Sequence, residues 1–253
     1  MTSRDWTGLR AICKCLLALL MLFPAGCSTN PATGESQFAA LMTPAQEERE
    51  GAREHQKIML QFGGAQNEKL EAYVAAVGRR VTANTERPEV KYKFFVLDTP
   101  AVNAFALPGG YIYVTRGLLA QANGEGELAA VLAHETGHIT ARHAAAAYSR
   151  GMVAAMGTAI VAAGAGGAAM AQAADMGSDI FTQAYSRSQE NEADRLGIRY
   201  LSRAGYDPAA MANFLGALEV YQNLQKRLDG DADATADFFD THPGTTDRIA
   251  QAK

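Results

Sequence analysis

The sequence predicts an α+β fold, a mostly helical domain that carries a small β-sheet. Two observations lead to this class. Segments with apolar residues at helical spacing lie before and after two short stretches that are rich in aromatic and β-branched residues. The chain has 253 residues and no internal repeat, so it is long enough for one domain with a core of ordinary size.

The first half of the predicted domain contains two helices and then two strands. Proline suits the first position of a helix, so the pair Thr43-Pro44 begins the first helix. The second strand follows a Pro-Gly-Gly turn. The predicted elements are helices at residues 44–62 and 68–81 and strands at residues 90–97 and 111–115.

The second half is predicted to be helical. Gly205 ends one of these helices, and Pro208 stands in the first turn of the next. The predicted helices cover residues 125–149, 183–205, 207–228 and 245–251.

Residues 152–174 carry no charge and consist mostly of Ala, Gly and Met. We expect them to form a mobile flap over a cleft, because long connections in compact domains are often functional lids. A membrane helix is the alternative, since the stretch is long enough to span a bilayer.

Composition excludes some classes of partner. The hydrophobic content of 48% and the charged content of 20% are ordinary for a globular protein. The formal net charge of −4 provides no basic surface of the kind that nucleic acid binds, so we expect no nucleic-acid partner.

Residues 1–26 have the features of an export signal. Cations precede a short apolar run that cannot span a bilayer as a mature helix. The run leads into Pro-Ala-Gly-Cys, and this ending resembles the lipobox of bacterial lipoproteins, in which Cys27 would be lipidated. An ordinary secretory signal is the alternative, because Pro24 stands where the lipobox prefers an aliphatic residue.

After the signal, residues 27–43 are small and polar and are expected to be a tether, with the catalytic domain at residues 44–253. Ser28 fits the sorting pattern of outer-membrane lipoproteins. We therefore expect a protein of the bacterial envelope that faces the periplasm and is held to the outer membrane by lipid on Cys27. Its domain has no cysteine and hence no disulfide.

The sequence His-Glu-Thr-Gly-His begins at His134 and fits the pattern H-E-x-x-H. Residues four apart lie on the same face of a helix, so His134 and His138 can direct two imidazoles at one ion. Catalytic zinc takes three protein ligands and a water, and Glu135 can accept the proton of that water. The alternative is two ordinary polar helix residues, but Gly137 between them indicates close packing, since glycine costs a helix about 1 kcal/mol.

A later segment supplies a candidate third ligand. Glu190 and Asp194 are four residues apart and so share one helix face. Glu190 is suited to bind zinc, and Asp194 to accept a hydrogen bond from the free nitrogen of a zinc-bound histidine. Glu192 competes with Glu190 but points to a different face. Without the H-E-x-x-H motif, Glu190 or Asp194 would more often be interpreted as a solvated surface charge.

H-E-x-x-H followed by E-x-x-x-D resembles the HtpX, BepA and LoiP type of zinc metalloendopeptidase. The resemblance covers about residue 43 to the C-terminus, and the lipoprotein member with only a protease domain is the closest in shape. It implies a gluzincin fold, one zinc ion bound by His134, His138 and Glu190, and Glu135 as catalytic base. The segments that carry it are residues 103–119, 127–143, 185–197 and 241–243.

The Thr-His-Pro match within this resemblance makes His242 a candidate catalytic residue near the zinc. It would either donate to the developing oxyanion or temporarily occupy the open coordination position and hold the enzyme inactive. Arg248 is a second candidate for stabilising the oxyanion. We assign no role to His55 or to His143, which lies off the metal-binding face of the predicted helix.

The expected function is a zinc endopeptidase that degrades misfolded or misassembled envelope proteins, a role that rests on the resemblance. The strand at residues 111–115 is expected to be a sheet edge to which a substrate peptide adds, although it also reads as a core strand. The main alternative function is a chaperone or assembly factor for unfolded outer-membrane proteins, with a structural or silenced metal site. A peptidase that trims short peptides is a weaker alternative.

Overall fold

A computed structural model describes residues 27–65, 67–165, 184–228, 238–243 and 245–252. This part of the chain contains nine helices and two small sheets, which confirms the predicted α+β class. The expected export signal lies outside the described residues.

The elements follow one another in the predicted general order, with several short additions. The strands are β1 (Cys27–Thr29), β2 (Ser36–Phe38), β3 (Lys93–Leu97), β4 (Ala104–Leu107) and β5 (Tyr111–Thr115). The helices are α1 (Pro44–Phe62), α2 (Glu68–Thr82), α3 (Arg116–Gln121), α4 (Glu125–Thr140), α5 (His143–Ala165), α6 (Arg187–Arg203), α7 (Ala209–Leu228), α8 (Phe238–Thr241) and α9 (Thr245–Gln251).

The main sheet has the strand order β3-β5-β4, with β5 parallel to β3 and antiparallel to β4. The expectation that β5 forms the open edge is therefore wrong, because β5 is the central strand and all five of its residues are buried. Strand β4, which the sequence pattern did not predict, is one of the two edge strands. Gly109 and Gly110 join β4 to β5 with φ angles of 79° and 95°, a left-handed conformation that glycine adopts without strain.

The main sheet lies between two hydrophobic clusters because successive side chains of a strand point to opposite faces. On β5, Ile112 and Val114 pack into the larger cluster, which includes residues of α2, α4, α6 and α7. Tyr111 and Tyr113 pack into the smaller cluster, beside α1 and the first turn of α5. Helix α4 is thereby buried inside the domain, next to the edge strand β4.

The long helix predicted at residues 125–149 is broken between α4 and α5. Arg142 adopts a φ of 59°, which is unusual for a residue with a side chain. Its Nε donates to Glu47 Oε1 at 2.9 Å, and Arg87 Nη2 donates to Glu47 Oε2 at 2.9 Å. These buried ion pairs join α1 to the end of α4 and fix the change of direction.

Residues 27–43, which were expected to be a tether, pack on the domain instead. Strands β1 and β2 form an antiparallel pair, in which Cys27 lies opposite Phe38. Ala39 and Met42 are buried in the smaller hydrophobic cluster. The apolar side chains in this nominally polar segment account for the difference, because their burial is favourable.

Helix α5 includes the first part of the uncharged stretch, and residues 166–174 lie outside the described part of the chain. Within that part, no helix combines the length and the apolar character needed to cross a membrane.

Candidate metal centre

The centre forms where α4 and α6 pack closely. Gly137 and Gly197 lie at this contact: a Cβ at Gly137 would be 2.9 Å from the carbonyl oxygen of Ala193, and one at Gly197 would be 3.2 Å from the backbone nitrogen of His134. Ser186 begins α6 with a capping box, which fixes the helix start and puts Glu190 in its first turn. This close packing brings the acidic side chains of α6 to the histidines of α4.

Four buried side chains converge at one point: His134, His138, Glu190 and His242. One ligand atom from each lies within 4.8 Å of all the others. His138 Nε2 is 3.0 Å from His134 Nε2 and 3.3 Å from Glu190 Oε1. His134 Nε2 is 3.5 Å from Glu190 Oε2 and 3.2 Å from His242 Nδ1.

These separations fit one small divalent cation. Two ligands of a tetrahedral ion at 2.0–2.1 Å lie about 3.4 Å apart, which is close to the distances between these donors. Imidazole nitrogens together with a carboxylate oxygen form a donor set that suits zinc and related first-row metals. The residues present therefore fit a metal ion of this kind.

The second ring nitrogen of His134 is held by Asp194. His134 Nδ1 is 2.9 Å from Asp194 Oδ1, and because an ionised carboxylate only accepts, Nδ1 carries the proton and Nε2 keeps its lone pair for the cluster. Burial would raise the pKa of Asp194, but hydrogen bonds from Arg248 and His134 outweigh it and leave that pKa well below the ordinary value. Asp194 therefore accepts the hydrogen bond of the His134 ring.

Arg248 is buried and its donors are occupied. Nε and Nη2 donate to Asp194 at 2.6 Å and 2.8 Å, and Nη1 lies 2.7 Å from Glu190 Oε2. This geometry disfavours the expected donation to an oxyanion, because the guanidinium already binds two carboxylates. It orients Asp194 and Glu190 instead.

The second ring nitrogen of His138 has partners that the sequence reading missed. His138 Nδ1 is 2.9 Å from His143 Nδ1, and His143 Nε2 is 3.2 Å from Glu192 Oε2. Glu192 Oε1 in turn accepts a hydrogen bond from Asn30 Nδ2 at 2.6 Å. Tyr185 stacks on the His138 ring at a centroid distance of 4.0 Å.

The break at Arg142 explains this result. It turns the start of α5 back toward α4, so His143 contacts His138 although a continuous helix would direct the two apart. Glu192, considered as a competing ligand, lies outside the cluster, and Glu190 lies inside it.

His242 follows α8 and packs beneath it. Its backbone nitrogen donates to Phe238 O at 2.9 Å, and the Phe238 ring stacks on the imidazole at 4.3 Å. His242 Nδ1 lies 3.1 Å from Glu190 Oε1. Burial would lower the pKa of His242, but the carboxylates of Glu190 and Glu135 outweigh it and the net pKa is raised.

Glu135 is fully buried beside the cluster. Neither of its carboxylate oxygens has a hydrogen-bond partner among the described residues, and the same is true of His242 Nε2. These two groups face each other, with Glu135 Oε1 3.5 Å from His242 Nε2. Burial raises the pKa of Glu135 above the ordinary carboxyl value. An unpartnered buried carboxylate is costly, so its presence next to the cluster indicates a chemical role.

Two other residues from the sequence reading lie elsewhere. His55 Nδ1 is 2.8 Å from Tyr113 Oη, and the His55 ring packs against Phe95 and Tyr111 of the main sheet. Cys27 is the first residue of β1. Its lipidation stays a prediction.

Several known proteins are similar to this chain. A beta-barrel assembly-enhancing protease of Yersinia pestis is 35% identical over 197 residues, and one of Escherichia coli (strain K12) is 30% identical over 193 residues. Each match covers 73% of this chain and 38% of the relative. The mitochondrial metalloendopeptidase OMA1 of Schizosaccharomyces pombe is 34% identical over 182 residues, which are 70% of this chain and 50% of that protein.

The chain thus spans between about two fifths and half of the length of these relatives. The sequence model of peptidase family M48 matches residues 68–253, a region that contains all four side chains of the cluster and Glu135. The chain belongs to peptidase family M48.

Proposed function

We propose that the protein is a zinc-dependent metalloendopeptidase of the bacterial cell envelope. His134, His138 and Glu190 would bind one zinc ion per chain. The observation that carries the proposal is the convergence of buried imidazole and carboxylate donors beside Glu135, whose buried carboxylate has no hydrogen-bond partner among the described residues. Two histidines and a glutamate match the ligand set of known catalytic zinc sites.

Glu135 would act as the general base. Its carboxylate lies next to the donor cluster, and its raised pKa brings its affinity for a proton closer to that of an efficient base near neutral pH. Zinc, when bound, polarises a peptide carbonyl and makes water more acidic. Glu135 takes the proton of the attacking water and passes it to the leaving amine.

We propose that the substrate chain binds along β4. This strand pairs with β5 on one side only among the described strands, so its other side can form main-chain hydrogen bonds with an extended peptide. Ala106 and Leu107 of β4 line the same cleft as His138. A peptide on this edge would therefore pass close to the donor cluster.

We propose that His242 holds the enzyme inactive by occupying the fourth coordination position. Its Nδ1 lies within 3.2 Å of both His134 Nε2 and the Glu190 carboxylate, as a fourth ligand would. The other role considered for His242, donation to an oxyanion, would require it to leave this position. We favour the inhibitory role for that reason.

Location and substrate class follow from the sequence and the relatives. A lipid on Cys27 would hold the protein at the periplasmic face of the outer membrane. Two of the relatives are named for β-barrel assembly, which supports misfolded or misassembled outer-membrane proteins as substrates and a role in quality control.

The test is metal analysis of the purified full chain together with casein cleavage. We expect about one zinc per chain and activity that a chelator abolishes and added zinc restores. Glu135→Gln should keep the zinc and lose cleavage. Glu127→Gln is the matched control, since Glu127 is on the same helix and bonds to Asn123.

Two outcomes would contradict the proposal. A full chain that binds no zinc would exclude the metal chemistry. A Glu135→Gln variant that preserves the cellular function in full would favour the alternative, a chaperone or assembly factor with a silent metal site.

A further inference from the structure

The two histidines on α4 have different outer partners. His134 is held by the carboxylate of Asp194, whereas His138 is held by another imidazole, that of His143. We infer that His143, Glu192 and Asn30 form a hydrogen-bonded relay that positions His138, so that the N-terminal segment supports the metal centre. This inference rests on the proposed role of His138 as a zinc ligand.

The proton positions in this relay follow from its far end. Asn30 Oδ1 accepts from the backbone nitrogen of Ala32 at 2.9 Å, so the amide group of Asn30 donates through Nδ2 to Glu192. Glu192, as a carboxylate, can only accept, and His143 Nε2 is therefore its donor at 3.2 Å. A neutral His143 then has its lone pair on Nδ1.

This assignment fixes the state of His138. His143 Nδ1 accepts a hydrogen bond, so His138 Nδ1 carries the proton and His138 Nε2 presents its lone pair to the cluster. The relay thus selects the tautomer that a metal ligand needs. Partners of this kind also fix the ring plane of a ligand and typically change metal affinity by about 10- to 100-fold when removed.

The relay is well enclosed. His143 is buried, with 1% of its surface exposed, and Asn30 is buried with 3% exposed. Asn30 is held on both sides of its backbone, because its nitrogen donates to Glu35 O at 2.8 Å and its carbonyl accepts from Gly34 N at 2.8 Å. The loop between β1 and β2 therefore presents the Asn30 side chain in a fixed direction toward α6.

The experiment compares two substitutions of His143 in the full chain. In His143→Asn, the Asn Oδ1 atom takes the place of His Nδ1 and can still accept from His138. In His143→Leu, the acceptor is lost. The readouts are the zinc dissociation constant, measured by competition with a chelating dye, and the visible spectrum of the Co²⁺-substituted protein, which reports ligand geometry.

We expect His143→Leu to weaken zinc binding by about 10- to 100-fold and to change the Co²⁺ spectrum. His143→Asn should lose less than His143→Leu in both readouts, because the Asn Oδ1 atom can still accept from His138 although the hydrogen bond to Glu192 is lost. Asn30→Leu should produce a smaller loss in the same direction, because Glu192 keeps its contact with His143. Ser149→Ala is the matched control: Ser149 is buried on the same helix and accepts from Leu41 N, but it does not contact His138.

Zinc affinity of His143→Leu within twofold of wild type would overturn the inference. If His143→Leu does not fold, Asn30→Leu serves as the test. An unchanged zinc affinity and Co²⁺ spectrum in Asn30→Leu would overturn the inference that the N-terminal segment supports the metal centre. A wild-type chain that binds no zinc is a different result, since it would contradict the proposed function itself.

Discussion

Gly137 lies directly against the backbone of Ala193, with no room for a side chain between them. A Cβ built at Gly137 would be 2.9 Å from Ala193 O and 3.0 Å from Ala193 Cα. Because backbone atoms cannot rotate away as side chains do, α4 and α6 would have to separate. The distance between the histidines of α4 and Glu190 on α6 depends on this contact.

Gly137→Ala should therefore destabilise the domain and weaken zinc binding. Overpacking of this kind costs about 1–3 kcal/mol, which exceeds the gain of up to about 1 kcal/mol in helix propensity. Gly126→Ala on the same helix is the control, since its Cβ would meet Ala210 Cβ at an ordinary 3.5 Å. Urea unfolding and zinc titration measure both effects. Equal behaviour of the two variants would contradict this account.

His242→Ala should increase the rate of casein cleavage and retain most of the bound zinc. The substitution removes the fourth donor but leaves His134, His138 and Glu190 in place. Initial rates at fixed zinc occupancy are the measurement. An unchanged rate would remove His242 from the site, and a lower rate would favour donation to the oxyanion.

Glu47→Gln should lower the free energy of unfolding by about 3–5 kcal/mol, because it removes the charge that buried Arg87 and Arg142 share. Glu50→Gln on the same helix is the control. Its pair with Arg53 is partly exposed and should contribute at most about 1 kcal/mol. Urea unfolding in the presence of chelator compares the two, and similar losses would contradict the importance of the buried pair.

The metal-free protein should lose stability in acid, in part through Asp194. The pKa of Asp194 is lower in the folded state than its ordinary value of about 4, so the unfolded state binds its proton first as the pH falls. The stabilising contribution is present above about pH 4 and decreases at lower pH.

Asp194→Asn should therefore reduce the dependence of unfolding free energy on pH below about pH 4. Urea unfolding between pH 3 and pH 7 in the presence of chelator would measure this slope. A slope equal to that of the wild type would mean that Asp194 does not titrate in this way.

Part of the donor cluster could be predicted because helical spacing determines which residues share a face. His134 and His138 follow from that rule alone, and Asp194 follows from Glu190 in the same way. The link between the two helices is not local in sequence. It came from the resemblance to a protease family, and Gly137 was the local sign of close packing.

His143 could not be predicted by the same rule. Five residues along a continuous helix correspond to a rotation of about 140° from His138, which directs the side chain away. The contact exists because Arg142 adopts a left-handed conformation that buried ion pairs maintain. Those pairs involve Glu47, far away in sequence, so no local pattern indicates the break.

The edge of the sheet was misassigned for a different reason. A strand that is apolar throughout is typical of a central position, and the four apolar residues at the start of Tyr111–Thr115 were such a signal. Strand β4 was missed because only three residues separate it from β5.

The contact between Asn30 and Glu192 also limits which substrates are within reach. Three residues of extended chain span at most about 11 Å, so a lipid on Cys27 would keep the donor cluster's end of the domain close to the bilayer surface. The lipid would then limit how far the domain can move from the membrane. Such an enzyme would cut polypeptides as they emerge beside the membrane and spare proteins that diffuse through the periplasm, so geometry alone would confer selectivity.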